Sequence, residues 1–279
     1  MKIDARQLHL RHAGAGAHAR AALRLQALSV DVGEQVAVIG PSGAGKTTLL
    51  QALACAMRPH AGTLSLDGRD PWQLPAAELR RLRARLFLAP QVPPLPPRQR
   101  VVTAVLAGRL PAQGLLASLA SLVYPSDIPG AWAALESFDL GDKLFERVDR
   151  LSGGERQRVS LARALVSPAS LWLADEPLSA LDPTRARSSL AALTAQARER
   201  GATLVASLHQ VDLALSQFPR VIGLRDGALA FDLPVADVTP QRLARLYAQH
   251  EEELQQAAEP VDLGTDDGVA AARPGARCR

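Results

Sequence analysis

Short β-like runs occupy Ile3 to Leu10 and Leu25 to Val32, and Gln35-Val-Ala-Val-Ile39 is an apolar run that leads straight into a glycine-rich turn. That third run reads as a buried strand. Further apolar runs at Leu171 to Ala174, Thr203 to Leu208 and Val221 to Leu224 alternate with helical patterns such as Thr184 to Arg200. This is the βα rhythm of a parallel sheet. Arg225-Asp-Gly227 makes a turn into one more run, Ala228 to Phe231. Between these parts lies a long stretch, roughly Leu74 to Arg150, with helical periodicity and little strand signal, which predicts an inserted helical subdomain. Pro93, Pro94, Pro96 and Pro97 crowd its entry and favour an extended, stiff connector.

Composition fits one large domain or a core with an insertion: 279 residues, 47% of them hydrophobic, with aromatics at 4%. So few aromatic residues do not suggest a base-stacking protein. The formal charge is +4, yet Glu251 to Asp267 holds seven acids and no bases, so the body before it is more basic than the total. That tail, residues 251–279, has few large apolar side chains and is expected to be disordered. Two cysteines far apart, Cys55 and Cys278, predict a reducing compartment. The start, Met-Lys-Ile-Asp-Ala-Arg, carries no signal-peptide core, and the most apolar stretch, Val101 to Val123, is broken by Arg109, Pro111 and Gln113. A soluble chain without a membrane span is expected.

The chemistry begins where the buried strand ends. Gly40-Pro-Ser-Gly-Ala-Gly-Lys-Thr47 stands between that strand and the helical run Thr48 to Met57, the strand-loop-helix setting of a phosphate loop. Glycines 40, 43 and 45 let backbone N–H groups turn toward phosphate oxygens, and the helix start adds its partial positive charge. Pro41, Ser42, Ala44 and Thr48 complete the loop, Lys46 reaches the outer phosphates, and Thr47 offers a hydroxyl to magnesium. Leu171-Trp-Leu-Ala-Asp-Glu176 ends an apolar strand in two acids, at the carboxyl edge where such sheets bind ligands. Asp175 suits magnesium and Glu176 suits activation of the attacking water. Leu151-Ser-Gly-Gly-Glu155 opens a second helix, Glu155 to Leu165, and reads either as an ordinary helix cap or as an anion-binding helix start.

Taken in order, the phosphate loop, Gln91, Leu151 to Glu155, Asp175-Glu176, Ser179-Ala-Leu-Asp182 and His209 resemble the ATPase subunits of ABC transporters over roughly Met1 to Ala248. The resemblance implies an α/β P-loop NTPase with a mainly parallel sheet core, an N-terminal antiparallel β part and an inserted helical subdomain. It implies ATP and Mg2+ as cofactors and a head-to-tail homodimer in which Ser152, Gly153 and Gly154 of one copy contact the γ-phosphate held by the other. Gln91 is then the glutamine that senses magnesium and the attacking water, His209 the switch histidine at the γ-phosphate, and Asp182 the acid that communicates across the dimer. Permease subunits, a solute-binding protein acting indirectly and a peripheral place on the cytoplasmic face of the cell membrane follow from the same resemblance, with no nucleic acid as partner.

Three positions depart from the family's usual pattern. His12 stands where an aromatic residue usually stacks on adenine, Glu155 replaces the more common Gln, and the proline-rich stretch after Gln91 is unusual. Leu106-Ala-Gly-Arg-Leu110, His209-Gln-Val-Asp-Leu-Ala-Leu215 and Gly223-Leu-Arg-Asp-Gly227 look like the ATPase subunits of phosphonate importers. The alternatives are importers of phosphate, amino acids or other oxyanions, or a non-transport ABC ATPase acting on nucleic acid. The last usually carries coiled coils or two ATPase units in one chain, and this chain has neither.

Overall fold

The computed structural model describes residues 1–11 and 22–248, the side chains of 122 and 123 excepted. His12 and the acidic tail lie outside the described residues. Strands β1 (Ile3–Leu10), β2 (Leu23–Val30), β3 (Gln35–Ile39), β4 (Ala61–Leu66), β5 (Leu86–Ala89), β6 (Leu171–Asp175), β7 (Thr203–Ser207), β8 (Arg220–Arg225) and β9 (Ala228–Pro234) form one sheet in the order β4-β1-β2-β9-β8-β3-β7-β6-β5. Pairing is parallel among β8, β3, β7, β6 and β5 and antiparallel in β4-β1-β2 and in the β8-β9 hairpin. The expected parallel core with an N-terminal antiparallel part is therefore what the chain builds.

Strands β3, β6 and β7 are buried along their whole length, so each must satisfy two faces. Successive side chains point to opposite faces of a strand. Ala37, Ile39, Trp172, Ala174, Leu204 and Ala206 accordingly enter one core, and Val36, Val38, Leu171, Leu173 and Val205 the other. The second core is closed by α1 (Lys46–Leu53) and by β1 and β2. Each fully buried Leu or Val there stabilises the fold by roughly 1.5–3 kcal/mol.

The remaining helices are α2 (Ala76–Arg83), α3 (Val101–Leu106), α4 (Leu115–Val123), α5 (Ile128–Glu136), α6 (Gly153–Val166), α7 (Pro183–Glu199), α8 (Val211–Gln217) and α9 (Pro240–Leu246). From Gln91 to Gln99 neither helix nor strand forms, as the prolines dictate. Two strands fall where none was expected. β4 is an edge strand paired only with β1, and β5 lies inside the stretch read as helical, where it pairs in parallel with β6 from Leu86↔Leu171 to Ala89↔Ala174. Four residues, separated by two positions from an arginine-rich helix, leave too short a pattern to announce a strand. The sheet thus extends through Ala89, and the helical segment starts beyond it.

Arg220 fastens the hairpin to the rest of the sheet. Its guanidinium donates to Asp232 Oδ1 and Oδ2 at 2.6 and 2.7 Å, to Glu34 Oε1 at 2.8 Å and to the Ser29 carbonyl at 2.9 Å. The bonds to Asp232 and Glu34 raise its pKa above the ordinary arginine value against the opposing effect of burial. Among the described residues no helix is long and apolar enough to cross a membrane.

Candidate nucleotide-binding site

Three parallel strands, β3, β6 and β7, end side by side, and their carboxyl ends carry the loop at Gly40, the acids Asp175 and Glu176, and His209. A cleft of about 550 Å³ opens there, lined by Ser42 to Thr48 with Ala22, Gln91, Glu176, His209, Asp226 and Gly227. A larger cavity, about 690 Å³ and lined in part by Arg109, Gln113 and Arg200, shares no residue with it. Its arginines are already engaged, Arg109 with Asp127 and Arg200 with the Leu165 carbonyl.

The loop needs its glycines for space. Gly40 has φ 150°, and a Cβ there would meet the Leu224 carbonyl oxygen at 2.1 Å, a collision with backbone of the neighbouring strand. Gly45 has φ 99° and turns the chain into α1, where a Cβ would come within 2.9 Å of the Ala22 carbonyl. The turn between β8 and β9 braces the loop: Gly227 N donates to the Ala44 carbonyl at 3.2 Å, and Arg24 N donates to the Gly227 carbonyl at 2.6 Å. The helix begins at Lys46, two residues earlier than expected, and stops at Leu53, before Cys55 turns left-handed at φ 55°.

Lys46 is 4% exposed, and its Nζ donates to the Gly40 and Pro41 carbonyls at 2.8 and 3.3 Å. The same nitrogen lies 3.8 Å from Glu176 Oε1. Thr47 Oγ1 donates to Asp175 Oδ1 at 3.2 Å. Glu176 is the hub: Gln91 Nε2 donates to its Oε2 at 2.7 Å, and His209 Nε2 stands 2.6 Å from its Oε1. Burial pushes the Glu176 carboxyl pKa up and is the largest single influence, but His209 and Lys46 together hold it below the usual range. The group is therefore a carboxylate at neutral pH. Its backbone is left-handed at φ 48°, a conformation that costs a non-glycine residue about 1–3 kcal/mol.

The second loop is built apart from this cleft. Ser152 caps α6, its Oγ accepting from Glu155 N at 3.2 Å while Glu155 Oε2 accepts from Ser152 N at 2.7 Å. That backbone bond is the main reason the Glu155 carboxyl is held below its usual range. Glu155 is thus turned back onto its own helix cap. Gly153 and Gly154 lie against the loop of Ser179 to Asp182, where a Cβ on Gly154 would come within 2.9 Å of the Ala180 carbonyl. Asp182 caps α7 by accepting from Arg185 N at 3.0 Å. Ser152, Gly153, Gly154 and Asp182 do not line the cleft of their own chain.

Sequence reasoning missed several residues of this arrangement. Gln157 bridges the two loops, donating to Ser179 Oγ at 2.7 Å and accepting from Ala180 N at 2.9 Å. Asp226 and Gly227 were legible only as a turn, and Ala22 gave no signal. Ser207 contacts both acids, and the one hint was a polar residue near the end of the run Thr203 to Leu208.

Residues 23–179 match the ABC transporter family. The chain is 64% identical over 268 residues to a phosphonates import ATP-binding protein of Albidiferax ferrireducens, covering 95% of this chain and 97% of that one. It is 66% identical over 264 residues to the corresponding protein of a Polaromonas species, with coverages of 94% and 95%. Among solved structures it is similar to a dimeric ATP-binding cassette in a post-hydrolysis state bound to ADP and Pi, at 25% identity and a TM-score of 0.68 over 84% of this chain and 98% of that one. A phosphate loop braced by its own sheet, two acids at the strand ends and relatives matched over nearly their full length lead to one conclusion: this chain belongs to the ABC transporter family, as an ATPase similar to the ATP-binding proteins of phosphonate import.

Proposed function

We propose that two copies of this chain close head to tail on two molecules of ATP with magnesium, and that hydrolysis drives import of a phosphonate through permease subunits at the cytoplasmic face of the cell membrane. The observation that carries the ATPase part is the convergence of Lys46, Thr47, Gln91, Glu176 and His209 on one cleft, with Asp175 bonded to Thr47 behind its lining. The names of the relatives, at 64% and 66% identity, support the solute.

In this reading the N–H groups of Gly40 to Thr48 and the Lys46 ammonium hold the phosphates. Glu176 polarises the attacking water, Gln91 orients that water, and His209 holds the γ-phosphate end of the site. Thr47, Asp175 and Gln91 offer oxygen ligands that fit magnesium. No group of three His, Cys, Asp or Glu side chains able to hold a metal exists among the described residues, which suits an ion held by one carboxylate and substrate phosphates. When bound, magnesium would neutralise charge building on the phosphate oxygens.

Ser152, Gly153 and Gly154 sit at a helix start outside the cleft, which supports their use on nucleotide held by a second copy. Asp182, which caps α7, and Gln157, in the first turns of α6 and bonded to the Ala180 amide, would pass the state of one site to the other. We take residues 1–250 as the ATPase domain. The segment between Ala89 and α6 is its helical insertion. Within that segment Val92, Leu115, Leu116, Leu119 and Tyr124 are exposed, and α4 carries no charged residue, an apolar surface suited to a permease. A solute-binding protein acts only through that permease.

Growth tests the solute. Cells lacking this chain are expected to fail on methylphosphonate as sole phosphorus source while growing normally on orthophosphate. Equal growth on both would move the solute to another oxyanion and leave the ATPase reading in place.

A further inference from the structure

Ser207 closes β7 and is completely buried, at 0% exposure, although the two positions before it are Val205 and Ala206. A buried hydroxyl needs partners. Its Oγ lies 2.7 Å from Asp175 Oδ1 and 2.9 Å from the Glu176 amide nitrogen. The amide only donates and the carboxylate only accepts, so the direction is fixed: Ser207 receives the Glu176 N–H and gives its own proton to Asp175.

Two consequences follow. Asp175 Oδ1 accepts from both Ser207 and Thr47, which leaves Oδ2 as the oxygen with no hydrogen bond from the described residues. The Glu176 N–H, also within 3.2 Å of the Ser207 carbonyl, is anchored where the backbone takes its left-handed turn at φ 48°. One hydroxyl thereby sets the rotamer of one acid and the backbone of the next.

We infer that Ser207 is a positioning residue for the hydrolytic site, holding Asp175 with one oxygen left for the cation and Glu176 in the turn that aims its carboxylate into the cleft. The inference rests on the roles given to Asp175 and Glu176 above. Ser207 acts through its bonds to Asp175 and Glu176. A geometric error at the base costs turnover more than ground-state binding.

The test compares Ser207→Ala, Ser207→Cys and Asp175→Asn for equilibrium ATP binding with and without magnesium, and for kcat and KM. Ser207→Ala should bind ATP without magnesium within twofold of wild type, which also reports that it folds. The tightening on adding magnesium should shrink about tenfold, as expected for one hydrogen bond to a charged group. Its kcat should fall at least tenfold with KM changing less. Ser207→Cys, nearly the same size with a weak donor, should lie between the two and carries the test if the alanine variant does not fold. Magnesium response and kcat within twofold of wild type for the Ser207 variants, with both lost in Asp175→Asn, would overturn the inference alone. An Asp175→Asn variant that kept its magnesium response would overturn the reading of the acids as well.

Discussion

Glu176→Gln lowers kcat for ATP hydrolysis by about 10² to 10⁴, the usual worth of a positioned general base, while ATP still binds. Glutamine keeps the size of the side chain but carries no charge and takes no proton from water. The environment makes that charge decisive. Lys46 at 3.8 Å and His209 at 2.6 Å hold the carboxyl ionised, so the wild-type site has a base ready at neutral pH. With ATP bound and not consumed, the variant should accumulate as a closed dimer. Phosphate release at saturating ATP, followed by gel filtration with ATP present, reads both effects. A wild-type rate of phosphate release would remove Glu176 from its role.

Lys46→Ala weakens ATP binding by about 10- to 100-fold, the loss expected for charge-assisted hydrogen bonds of about 1.5–3 kcal/mol. The side chain is 4% exposed and bonded to the Gly40 and Pro41 carbonyls, so its ammonium is held beside the loop. Removing it takes away the cation, a brace across the loop and a partner of Glu176 together. Lys46→Met, which keeps most of the chain length without the charge, should lose nearly as much affinity, since the charged group makes most of this side chain's contribution. Equilibrium binding of ATP to both variants separates the ammonium and its bonds, lost in each, from the packing of the side chain, lost only in Lys46→Ala. Unchanged affinity in both would contradict the phosphate-loop assignment.

The cleft proposed to hold ATP draws on segments legible in the sequence because its parts are local. A buried five-residue run, three spaced glycines and a Lys-Thr pair sit within Gln35 to Thr47, and the acids and His209 end apolar runs of their own. What the sequence hid is pairing between distant segments. β5 has four residues and β4, though six long, buries only Leu64 and Leu66, so both lean on β6 and β1 for their strand character and neither carries a clear pattern. The bonds of Ser207 to Asp175 and of Gln157 to Ser179 join residues that are 32 and 22 positions apart, and no spacing within one element predicts them. Glu155 shows a mixed case. Its offset from Ser152 is that of a capping box, and the structure closes both bonds of the box. The position where an aromatic residue usually stacks on adenine, His12, lies outside the described residues.

Coupling of ATP hydrolysis by this chain to phosphonate uptake is measurable in cells. Its most direct measurement is uptake of a labelled alkylphosphonate by cells lacking the chain, complemented with either the wild-type protein or Glu176→Gln. Uptake restored by wild type and not by Glu176→Gln is the predicted result; uptake that proceeds equally without the chain, or with Glu176→Gln in its place, would contradict it.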